Sequence, residues 1–196
     1  MNIVIYALIF FSFIFSNIKT FNDFPDNWSK IQNDNIKIET QMIDDKPYCR
    51  ATGSFNFPSN KIVDILRDQV SYPNIFERII STKMITDYIV YVEIDLPFPF
   101  KNRDYIVEYN YFKDGQIEYF YYKATNKHNI PINNDFIRLL NTSGIWKITS
   151  LNDNQTELTY IWQGELMGDF PDWALKTAWI EQGNEVFLSI KNYLKD

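Results

Sequence analysis

The chain has 196 residues, 45% of them apolar and 22% charged, with a formal net charge of −6 at pH 7. That is one domain's worth of sequence with a sizeable core. The negative balance and the lack of any Lys/Arg cluster exclude recognition by neutralising phosphates, so nucleic acid is not an expected partner. His128 is the only histidine and Cys49 the only cysteine, which rules out an internal disulfide and leaves no recognisable nucleophile–base or metal-ligand pattern.

In chain order, Met1 to Ser16 holds the uncharged run IVIYALIFFSFIFS, the length of a signal-peptide core and short for a membrane span. The reading is a leader over residues 1–19 and one domain over 20–196, secreted or periplasmic; the alternative is an uncleaved N-terminal anchor. The triplets at Asn27, Asn141 and Asn154 would accept glycans only in a secreted eukaryotic chain.

Asn22 to Ile31 predicts a short helix, Asn35 to Met42 a strand with partner Cys49 to Phe57, and Pro58 opens a helix through Ile62, Val63, Leu66 and Val70. A second short helix is expected near Asn74 to Ile80. The period then changes to two. Ile89 to Leu96 sets Val90, Val92 and Ile94 opposite Tyr91, Glu93 and Asp95. The next strand sets Tyr105, Val107, Tyr109 and Tyr111 opposite Asp104, Glu108 and Asn110. Asp114-Gly115 turns the chain back into Ile117 to Ala124. Gly144 to Ser150 and Thr156 to Gln163 flank an Asn152-Asp153-Asn154 turn, and Pro171 to Leu194 reads as a long helix with Gly183 as its weak point. The class is α+β: a mainly antiparallel sheet whose apolar face the terminal helix covers.

The segment Pro97-Phe98-Pro99-Phe100-Lys101-Asn102-Arg103-Asp104-Tyr105 resembles the P-F-P-x-x-N-R-D-Y run of START (steroidogenic acute regulatory protein-related lipid transfer) domains, most closely the phosphatidylcholine transfer protein-like subgroup. Phe136-Ile137-Arg138, Gly144-Ile145-Trp146-Lys147-Ile148 and Gly168-Asp169-Phe170-Pro171-Asp172-Trp173 resemble later family segments in the expected order. Glu165-Leu166-Met167-Gly168 departs from the family's D-P-G-G, and Val92 stands where choline-binding members carry a Trp.

The resemblance implies a helix-grip fold, a curved antiparallel sheet wrapped around a long C-terminal helix, and non-catalytic binding of one lipid or sterol-like molecule without cofactor or metal. The expected lining is Val90, Val92, Ile94, Tyr105, Val107, Tyr109, Tyr119, Tyr121, Trp173, Thr177 and Ile180. Pro97, Phe98, Pro99 and Phe100 would form a gate loop whose rings either tuck into the core or touch a membrane transiently. Arg103 and Asp104 read as a structural polar pair, and Glu93, Asp95 and Glu108 as a wet face. A monomer is expected. The alternatives are a cyclase, aromatase or hydrolase on the same fold, and a protein-binding module with a collapsed cavity.

Overall fold

The computed structural model describes residues 24–98, 100–128, 130–164 and 172–195, with the side chains of residues 172 and 173 excepted. The leader, Pro99 and the segment from Glu165 to Pro171 therefore lie outside the described residues.

Ten strands form one sheet: β1 (Ser29–Asn33), β2 (Ile36–Ile43), β3 (Lys46–Phe55), β4 (Ile79–Thr86), β5 (Ile89–Ile94), β6 (Asn102–Asp114), β7 (Ile117–Ala124), β8 (Phe136–Arg138), β9 (Ser143–Asn152) and β10 (Gln155–Gln163). Their order is β1-β2-β3-β10-β9-β7-β6-β5-β4, antiparallel throughout, except that β8 adds to β6 in parallel. Between β3 and β4 come α1 (Ser59–Arg67), a 3₁₀ turn (Gln69–Ser71) and α2 (Tyr72–Ile75). The chain closes with α3 (Asp172–Tyr193).

Period-two alternation explains the strands, and the hairpin turns fix their pairing. Asp44 and Asp45 both take positive φ, 51° and 59°, the conformation a two-residue turn between β2 and β3 requires. Gly115 does the same at φ 57° between β6 and β7.

The inner face of the sheet supplies Ile38, Cys49, Ala51, Phe55, Val90, Val92, Val107, Phe120, Tyr122, Trp146, Ile148, Leu158, Tyr160 and Trp162 to one core. Ile62, Val63, Ile65 and Leu66 of α1, Tyr72 and Ile75 of α2, and Phe187 and Ile190 of α3 complete it. Gly183 lets α3 approach the sheet closely, because a Cβ there would sit 2.8 Å from Ile38 Cδ1. The expected weak point is thus a contact point. On either side, Asn184 exchanges two amide hydrogen bonds with Gln32 of β1, at 2.9 and 3.0 Å, and Glu185 takes a bidentate pair from Arg78 at 2.5 and 2.6 Å.

Three predicted elements need correction. Over its described residues the stretch 22–31 is not helical: Phe24 packs on Tyr48, Trp28 on the Arg50 guanidinium, and the chain then enters β1. The stretch 74–80 is mostly the end of α2 and the start of β4, a strand whose local pattern is masked by exposed Ile80 and Lys83. Helix α1 stops at Arg67, and Val70 is exposed.

Candidate functional site

The strand ends divide the molecule into a mouth and a floor. At the mouth lie the end of β5, the start of β6, the loop between them and the start of α3; at the floor lie α1, α2 and the end of α3. Between sheet and helix, Ile94, Tyr105, Tyr109 and Ile180 pack against the main core while keeping accessible surface. Burial nevertheless drives the Tyr105 and Tyr109 phenols well above the usual range. Both residues thus combine a strongly desolvated phenol with some accessible surface.

Five tyrosines meet there. The register pairs Tyr109 with Tyr122, and on the neighbouring strands Trp146 with Tyr160. Facing residues of an antiparallel pair share a side of the sheet, so Tyr105, Tyr109, Tyr122 and Tyr160 all point inward; Tyr72 reaches them from α2. Tyr72 donates to the Leu66 carbonyl at 2.9 Å and receives a hydrogen bond from Tyr109. The Tyr122 and Tyr160 hydroxyls bond each other. Desolvation raises all five phenols, Tyr122 to about 12 although its hydrogen bond with Tyr160 lowers it, and repulsion from Tyr122 further raises Tyr72, Tyr105, Tyr109 and Tyr160. They are neutral donors at any physiological pH. Tyr160 stacks between Trp146 and Trp162, at centroid distances of 3.7 and 4.8 Å. Gly144 makes room for the Tyr122 ring: a Cβ there would come within 2.4 Å of it.

Two clefts open at the ends. One, of about 230 Å³, runs over the mouth rim past Tyr48, Ile161, Gln163 and Thr142 and reaches Tyr122 and Gly144. The other, of about 500 Å³, lies at the floor between α1 and the end of α3, lined by Phe57, Lys61, Asp64, Ile65, Asp68, Ile75 and Tyr193.

Of the expected lining, Ile94, Tyr105, Tyr109 and Ile180 are partly buried and pack against the main core. Val90, Val92 and Val107 face inward too but have no exposed surface, which makes them close-packed core at the back of the site. Tyr119 and Tyr121 are on the other side of the sheet, stacked on each other and, through Tyr119, on Phe112. Thr177 is exposed on α3, and the Trp173 side chain lies outside the described residues. In the gate loop Phe98 is 96% exposed and Phe100 36%, so neither ring is tucked into the core. The loop is braced at its base by Asn102 Oδ1, which accepts from Leu96 N at 3.1 Å, and by Phe100 N on the Pro97 carbonyl at 3.1 Å.

Arg103 and Asp104 are adjacent on one strand and therefore on opposite faces. Arg103 is buried inward at the mouth, where it donates to the Lys101 carbonyl and burial lowers its pKa. Asp104 is fully buried outward and is clamped by Arg138 of β8 in two 2.7 Å bonds. The Tyr91 hydroxyl lies 3.0 Å from both Asp104 Oδ2 and Glu93 Oε1, and Ser81 donates to Glu93 at 2.5 Å. With Ile89, Ile106, Ile85 and Ile130 this makes a second small core beneath the β8 segment, so the expected wet face of β5 and β6 is covered there.

Among the described residues no group of His, Cys, Asp and Glu could hold a metal, and no helix is long and apolar enough to cross a membrane. Burial pushes the Cys49 thiol up, which makes it a poor nucleophile.

No protein-family model and no curated protein matches the chain. Solved structures do. The STAR-related lipid transfer protein (fragment 25–204) from Xanthomonas axonopodis aligns over 87% of this chain and 100% of its own at 18% identity, TM-score 0.76. Human StAR-related lipid transfer protein 5 aligns over 97% and 94% at 11% identity, TM-score 0.79. The Zhui aromatase/cyclase from Streptomyces sp. R1128 aligns over 76% and 93% at 14% identity, TM-score 0.56. The fold is the START helix-grip.

Proposed function

We propose that this protein binds a single lipid-like molecule between the sheet and α3 and performs no chemistry on it. The carrying observation is the set of strongly desolvated tyrosines that still keep some accessible surface, within a fold shared with lipid transfer proteins. The aromatase/cyclase neighbour shows that the fold can also accompany catalysis. Against a catalytic reading, burial holds the phenols neutral. In the same reading the chain is exported and works as a monomer, and Phe98 and Phe100 touch a bilayer during exchange.

One measurement set tests this. The protein purified from its own source is examined by native mass spectrometry with lipid extraction, then compared with Phe98→Ser/Phe100→Ser in transfer between vesicles. One bound lipid per chain, and slower transfer by the variant at unchanged occupancy, is the expected result. An empty protein that takes up no lipid from vesicles overturns the reading; unchanged transfer removes the loop from it.

A further inference from the structure

Not every hydroxyl proton of the tyrosine cluster has an acceptor among the described residues. The Tyr72 proton goes to the Leu66 carbonyl and the Tyr109 proton to the Tyr72 oxygen. Tyr122 and Tyr160 share one hydrogen bond, which uses one of their two protons whichever residue donates. One member of the Tyr122–Tyr160 pair therefore keeps a proton that no described residue accepts, and the Tyr105 hydroxyl, engaged by no described hydrogen bond, belongs to a residue that keeps accessible surface. Interiors tolerate a donor without a protein partner where something else completes the bond.

Resting on the reading that the interior holds a lipid-like molecule, we propose that this molecule is neutral and carries a carbonyl-type oxygen, as a ketone or an ester does, which accepts from Tyr105 and the Tyr122–Tyr160 pair. A ligand hydroxyl fits less well, because it adds a donor to an excess of donors. An anion fits less well again, since apolar burial penalises charge at the cluster. Gly144 belongs to the same device: without a side chain, it lets the Tyr122 ring and hydroxyl lie flat across β9.

The test titrates the full chain, by tryptophan fluorescence, with matched probes from cyclodextrin: cholest-4-en-3-one against 5α-cholestane, and methyl oleate against 1-octadecene and oleate. The ketone or the ester should bind about tenfold more tightly than its hydrocarbon partner. Tyr105→Phe/Tyr122→Phe should reduce that ratio to below about threefold while still binding the hydrocarbon. The unfolding midpoint of the double variant, measured beside the wild type, guards against a folding defect. Equal binding within both pairs, a preference that survives the double variant, or oleate binding better than its methyl ester overturns the inference and leaves lipid binding standing. If no probe binds, the lipid-binding reading itself falls, and this inference with it.

Discussion

Two polar clusters lie back to back across β6, one hung from Asp104 and the other from Tyr105, and they are built on opposite principles. The outer cluster is closed. Asp104 receives two bonds from Arg138 and shares the Tyr91 proton with Glu93, which is also held by Ser81. The inner cluster is neutral, aromatic and rich in donors. A buried polar group whose partners are all protein serves the fold, and one whose hydrogen bonds are incomplete points to something from outside. Adjacent residues in the sequence thus serve different ends because alternation sends them to opposite faces.

The contrast is most severely tested at Arg138. Arg138→Leu leaves the fully buried Asp104 carboxylate unpaired and should cost about 3–5 kcal/mol in urea unfolding. A loss below about 1 kcal/mol would mean that the outer cluster is not holding β8 and the sheet together. Next is Gly144→Ala. Its new Cβ meets Cε1, Cζ and the hydroxyl of Tyr122 at 2.4, 2.5 and 2.6 Å, so the ring must move, at about 1–3 kcal/mol. Carbonyl selectivity should fall with it, and a variant with unchanged stability and selectivity would detach Tyr122 from the site. The smallest expected effect is a difference. Tyr72→Phe removes the bond to Leu66 and should lower stability by about 1 kcal/mol, whereas Tyr105→Phe should lower it by nothing measurable. Equal losses would show that the Tyr105 hydroxyl has a structural partner after all.

Much of this was legible in the sequence. The alternation in β5, β6 and β7, the Asp114-Gly115 turn and the long terminal helix specify a one-sided sheet needing a helical cover, and family-like segments in order named its type. The tyrosine assignment failed on parity. With Asp114 opposite Ile117, every odd position of β6 faces an even one of β7, so Tyr109 takes Tyr122, and Tyr119 and Tyr121 turn outward. That much could have been computed from the turn. The contributions of Tyr72 and Arg138 could not, because α2 and the parallel β8 join the site through contacts remote in sequence. Nor could the burial of Asp104: a strand's polar side looks wet until a distant segment covers it.

Two ties of α3 among the described residues, Asn184 to β1 and Glu185 to Arg78, adjoin the close contact at Gly183, just past the middle of the helix. Mechanically they make a fulcrum. From Asn184 back to the helix start at Asp172 is a rigid arm of about 18 Å, at roughly 1.5 Å per residue. On such a pivot a tilt of about 10° would sweep the start of the helix through about 3 Å, a small rotation magnified at the mouth.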